Sequence, residues 1–146
     1  MTIFIIGTIE ETAKALDIKR FNKQILECQW MINMKEGKTK PSNHPAYLMY
    51  KDHIDWVKLY QKCLIAYKEK RFEFCHELSE LAKKIQPPFI CDELCENFKK
   101  RLFEKDPLHY KQWETLGKSF ANYYFVDNEW LKYENGTKII VENCGI

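Results

Sequence analysis

The chain opens on an apolar run, Ile3-Phe4-Ile5-Ile6, whose β-branched and aromatic residues predict an extended segment over residues 2–6. Thr8-Ile9-Glu10-Glu11 follows with Glu three residues after Thr, the pattern of a capping box, and predicts a short helix through about Ala15. Asp17 can cap a second helix that runs to about Glu36 and is closed by Gly37. On that helix Ile18, Phe21, Ile25, Cys28 and Ile32 recur at three- and four-residue steps and are expected to face the core. Arg20, Lys23, Gln24 and Glu27 then fall on its other side.

Two prolines and a Ser/Asn content mark residues 38–45 as a loop. A long helix is predicted from about Pro45 to Lys70, with Met49, His53, Val57, Tyr60, Leu64 and Tyr67 as its apolar stripe. Further helices are predicted over about 72–85, stopping at Pro87-Pro88, over about 91–105, and from Asp106-Pro107 to about Glu114. Near the end, β-prone residues 129–133 and 137–141 flank Glu134-Asn135-Gly136, a strong hairpin signal. The fold expected is mainly α. It is a compact single-domain bundle of about five or six helices over residues 1–146, with an extended N-terminal arm and a small hairpin extension at about 129–142.

At 146 residues the chain can bury a full core without a disulfide or metal staple. No apolar run is long enough to span a bilayer, so no membrane partner is expected. The apolar start carries no basic leader and no small-residue cleavage site. The chain is therefore expected to be intracellular, in cytoplasm or nucleus, and not secreted. Its six irregularly spaced cysteines then read as reduced thiols. Net charge is only +2, but its distribution is uneven: +5 over residues 1–71, −4 over 72–97 and +1 beyond. A basic first half suits contact with an anion, nucleic acid included, or is simply a solvated mixed surface.

Several clusters carry candidate chemistry. Removal of Met1 before a residue as small as Thr2 would free an α-amine with a pKa near 7.7–8.0, neutral enough to attack a sugar C1′ and form an imine. Arg20, Lys23 and Glu27 share a row of the second helix, so two cations can hold phosphates beside a carboxylate; a solvated Lys23–Glu27 pair is the plain alternative. Lys38, Lys40, Asn43 and His44 precede a helix N-terminus, where phosphates bind readily, and His44 can act as an acid or base; Asn43 and His44 can equally be structural caps. Lys99, Lys100 and Arg101 form a second basic cluster that can follow a DNA backbone or sit on an exposed helix face. Zinc spacing, phosphate-loop, dinucleotide and nucleophile-elbow motifs are all missing, so no zinc site is expected, and nucleotide hydrolysis, dinucleotide redox and α/β-hydrolase chemistry are disfavoured.

Three segments together carry a resemblance. They are Leu16-Asp17-Ile18-Lys19-Arg20-Phe21-Asn22-Lys23-Gln24-Ile25-Leu26-Glu27, then Gly37-Lys38-Thr39-Lys40 with Asn43-His44-Pro45, then Lys105-Asp106-Pro107-Leu108-His109-Tyr110. In this order, over about residues 2–111, the chain resembles the small pyrimidine-dimer DNA glycosylases related to phage endonuclease V. The resemblance implies an all-helical glycosylase and AP lyase that acts on damaged double-stranded DNA without a cofactor. It makes Thr2 the nucleophile, and it places the assisting carboxylate at Glu27 or puts Gln24 in that slot. Gln24 can orient groups but cannot carry a proton. Where the wider family has Ser-His-Arg, this chain has Asn97-Phe98-Lys99. A non-catalytic nucleic-acid or nucleotide binder of the same fold and a protein adaptor using the acidic 72–97 segment and the hairpin are the competing readings.

Overall fold

The computed structural model describes residues 2–119, 123–134 and 137–140. The chain forms two compact units, residues 1–87 and 88–146. The fold is mainly helical with a small C-terminal sheet. Among the described residues, no helix is long and apolar enough to cross a membrane.

In the first unit α1 spans Ile9–Ala15 and begins with the capping box the sequence predicts: Thr8 Oγ1 accepts from Glu11 N–H, and Glu11 reaches back to Thr8 N–H. α2 spans Ile18–Lys35, capped by Asp17, whose carboxylate accepts from Arg20 N–H. Gly37, at φ 77°, closes it, and Lys38 N–H bonds back to Asn33 C=O at 2.9 Å. This left-handed position is one that glycine takes without strain.

The buried stripe of α2 differs from the expected one. Phe21, Cys28 and Ile32 are buried, but Ile18 is 71% exposed. Gln24 and Glu27, expected on the far side, are buried. The reason is the N-terminal arm. Ile3, Phe4 and Ile5 are all buried, and the arm lies against α2 where apolar periodicity alone would place solvent. Two polar side chains therefore enter the core to meet its backbone.

The long helix predicted from Pro45 to Lys70 is two helices, α3 (Pro45–Tyr50) and α4 (Ile54–Lys68). A turn at Lys51–His53 separates them, closed by a His53 N–H to Tyr50 C=O bond of 2.8 Å. The break lets Tyr50 stack on Trp56 at 5.7 Å between ring centres, and Trp56 in turn packs on Tyr60 at 5.4 Å. No Pro or Gly marks this turn, so the chain pattern gives no sign of it. α5 (Phe72–Lys84) packs against α4, and Cys63 and Cys75 bring their sulfurs to 3.1 Å between these two helices.

The second unit holds α6 (Asp92–Lys105), a 3₁₀ helix (Lys111–Leu116) and a sheet of β1 (Tyr123–Val126), β2 (Glu129–Glu134) and β3 (Thr137–Ile140). The helix expected from Asp106 is instead a turn, with Asp106 accepting from His109 N–H at 3.2 Å, that leads into the 3₁₀ helix. The sheet has one strand more than expected, an antiparallel meander ordered β1-β2-β3. Asp127 and Asn128 turn β1 into β2 with φ of 52° and 63°, the conformation of a tight hairpin turn that Asx residues tolerate. The Asn135-Gly136 apex lies outside the described residues.

Candidate active site

An extended segment that enters a core must find partners there for its N–H and C=O groups. Here side chains supply them. Gln24 Oε1 accepts from Phe4 N–H at 2.8 Å, and Gln24 Nε2 donates to Thr2 C=O at 2.8 Å. One amide therefore pairs with the arm as a neighbouring strand would. Tyr60 donates its hydroxyl to Phe4 C=O at 2.6 Å, and its oxygen lies 3.2 Å from Gln24 Oε1. Thr12 Oγ1 accepts from Ile6 N–H at 3.1 Å. The donor–acceptor complement of the arm fixes which end of the Gln24 amide is oxygen.

The front of the arm ends on a carboxylate. Thr2 N–H donates to Glu27 Oε2 at 3.0 Å, and Gln24 Nε2 lies 3.3 Å from the same oxygen. Lys23 Nζ stands 4.0 Å from Glu27 Oε1. Glu27 is buried while Lys23 remains 65% exposed, so the pair forms a border between core and solvent. Thr2 itself is half-buried. An amine at the Thr2 nitrogen would have a proton acceptor in contact with it on the buried side.

His44 is the N-cap of α3. Its Nδ1 accepts from Ala46 N–H at 3.1 Å, which places the proton of the neutral ring on Nε2. Partial burial pushes the imidazole below its ordinary pKa, and the charge of Glu27 opposes that. Thr2, Gln24 and Glu27 are thus joined by hydrogen bonds, and His44 feels the charge of Glu27. Burial, with Cys28, Tyr50 and Glu27 nearby, holds the Tyr60 phenol well above its usual pKa. It therefore stays protonated, as its donor role requires.

The cations divide. Arg20 is tied to its own cap, 3.3 Å from Asp17 Oδ1. Lys23 belongs to the Glu27 cluster. Lys38, Lys40 and Asn43 are exposed on the α2–α3 loop, where Lys38 Nζ lies 4.0 Å from Glu36. Lys99, Lys100 and Arg101 lie on α6 in the second unit. Burial lowers the pKa of Arg101, which feels Tyr124 and Glu104, so it is not a simple exposed cation.

Tyr60 and Thr12 are site residues that sequence reasoning placed only in helices. Neither spacing nor composition signals a bond to a backbone group 56 residues away.

A sequence profile of the pyrimidine dimer DNA glycosylase family matches residues 1–79. That is just over half of the chain, and it covers the arm, α2, the α2–α3 loop, α3 and α4. The chain belongs to this family. No curated protein matches it, and no solved structure does.

Proposed function

We propose that the protein is a DNA-repair glycosylase with AP-lyase activity, acting on pyrimidine dimers or abasic sites in double-stranded DNA. The observation that carries the reading is the 3.0 Å contact between the Thr2 nitrogen and Glu27, within a family of pyrimidine dimer glycosylases. In this reading Met1 is removed and the Thr2 amine attacks C1′ of the damaged nucleotide. The glycosidic bond breaks, the base leaves with the bonding electrons and takes a proton from solvent, and the nitrogen gives up one proton while the ring oxygen gains one, so that the sugar opens to a protonated imine. Abstraction of a C2′ proton then expels the 3′ phosphate by β-elimination and nicks the strand.

In this reading Glu27 takes the proton from the amine and returns it to the sugar oxygen; its 3.0 Å contact with the Thr2 nitrogen supports that role. Gln24 is a positioning residue that fixes the arm through Thr2 C=O and Phe4 N–H. His44, whose ring is held below its ordinary pKa by partial burial, is the second acid–base candidate. Lys23, Lys38, Lys40, Asn43 and Arg20 supply contacts to the phosphates, as do Lys99, Lys100 and Arg101. No organic cofactor or metal enters these steps, because the protonated imine itself accepts the electron pair left at C2′.

The test is reductive trapping. Protein shown by mass spectrometry to start at Thr2 is incubated with duplex carrying a dimer or an abasic site, and borohydride is added. The proposal predicts a covalent protein–DNA adduct, abolished by a peptide tag before Thr2. Salt-sensitive binding without an adduct on either substrate would make the protein a non-catalytic binder instead.

A further inference from the structure

α2 carries an unusual exposed strip beside the Thr2–Glu27 pair. Leu26 is 57% and Trp30 51% exposed, although both are large and apolar. Lys19 and Lys23 are exposed on the same side of the helix. Helical spacing fixes their order. Lys23 and Glu27 are four residues apart, Glu27 and Trp30 three, and Leu26 and Trp30 four, so each pair is in lateral contact range. Side chains on a helix lean toward its N-terminus, which sets the indole over the turn holding Leu26 and Glu27. Cations therefore lie on one side of Glu27 and an exposed ring on the other.

We infer that Trp30, backed by Leu26, is a wedge that enters the base stack of damaged duplex next to the nucleotide held at Thr2. The inference rests on the function proposed above but adds a separate element, since reading a lesion differs from cleaving at it. An indole is about as thick as one step of the stack, roughly 3.4 Å. Drawing a nucleotide out of the stack leaves a gap of that kind, and filling it offsets the lost stacking. The gap opens most cheaply at a lesion, where stacking is already weak, so a wedge converts deformability into preference for damage. Lys19 and Lys23, both on the N-terminal side of the ring, match the phosphates that flank the gap on that side. Two apolar side chains with two lysines are too few for a stable protein interface, which takes about 20–30 residues a side.

The experiment measures binding, which needs no chemistry. Wild type, Trp30→Ala, Trp30→Phe and Lys23→Ala are titrated against an intact duplex and the same duplex with one tetrahydrofuran abasic analogue. Wild type is expected to prefer the damaged duplex. Trp30→Ala should lose that preference by about 10- to 100-fold while holding its affinity for intact duplex. Trp30→Phe, which keeps a ring, should recover most of it. Lys23→Ala should weaken both duplexes alike and reduce the salt slope by about one.

Thermal unfolding of each variant checks that the fold is intact. Trp30→Ala with full preference, equal losses on both duplexes, or no rescue by Phe would overturn the wedge. So would a wild type without preference, as when the strip serves a protein partner. A wild type that prefers damage yet gives no borohydride adduct would sink the chemistry and leave the wedge standing.

Discussion

Replacing Gln24 by glutamate changes one nitrogen to oxygen and sets a second carboxylate against Glu27. The affected distance is 3.3 Å. Two charges at that separation repel by about 5 kcal/mol at an effective dielectric constant near 20. Taking up a proton at pH 7 costs less, about 3.5 kcal/mol for a group with an unfolded pKa near 4.3. One carboxyl will therefore be protonated in the folded state. With the proton on the introduced side chain most of the native pattern returns, its C=O accepting from Phe4 N–H, but its single O–H serves either Thr2 C=O or Glu27, where the amide serves both.

The folded pKa of the pair is thus raised above the unfolded value, and stability is complete below about pH 4.3 and lost as pH rises toward the folded pKa. Gln24→Glu should come closest to wild type near pH 4 and fall behind by up to about 3.5 kcal/mol more at pH 7. In melting temperature that is roughly 10 °C. Thermal unfolding followed by circular dichroism, wild type against variant from pH 4 to 8, gives the difference directly. A difference that does not change with pH would refute the contact between Gln24 and Glu27, and with it the placement of the arm.

Three further outcomes follow from other residues. Glu27→Gln keeps an acceptor for Thr2 N–H but cannot carry a proton, so imine trapping should slow by about 10²–10⁴-fold with little change in melting temperature. His44 has its pKa lowered in the fold and caps α3 only when neutral, so its contribution is full above about pH 6.5 and lost as pH falls through the folded value; His44→Asn, which caps without titrating, should remove that part of the acid sensitivity in a pH series of melts. Lys70 sits at φ 61° just past α4, with Arg71 N–H bonded to Ala66 C=O at 2.8 Å, so Lys70→Gly should stabilise by roughly 0.5–1 kcal/mol in a denaturant titration.

Local chemistry is legible in the chain, and distant pairing is not. The Thr8–Glu11 capping box, the Asp17 cap and the Gly37 stop depend on neighbours within a turn, and all three form. The break at Lys51–His53 depends on Tyr50 meeting Trp56 in the core, which no local residue announces. The α2 face departs from its pattern for a related reason. Apolar periodicity assumes that buried positions are apolar, but the arm brings backbone N–H and C=O groups against α2, and Gln24 and Glu27 are buried to bond them. The pairing of Thr2 with Glu27 is legible only through the resemblance, since 25 residues separate the two. The extra strand β1 is hard to foresee because Asp127-Asn128 is a weaker turn signal than Asn-Gly.

The central claim is that the Thr2 nitrogen, beside Glu27, is the atom that joins to the sugar. Locating the reduced linkage in the borohydride-trapped adduct tests it most directly. After digestion with trypsin and removal of the DNA, tandem mass spectrometry should find the sugar remnant on the α-amine of the peptide spanning Thr2–Lys14. A remnant on Lys23, Lys38 or any other lysine, with the Thr2 amine unmodified, would contradict the account.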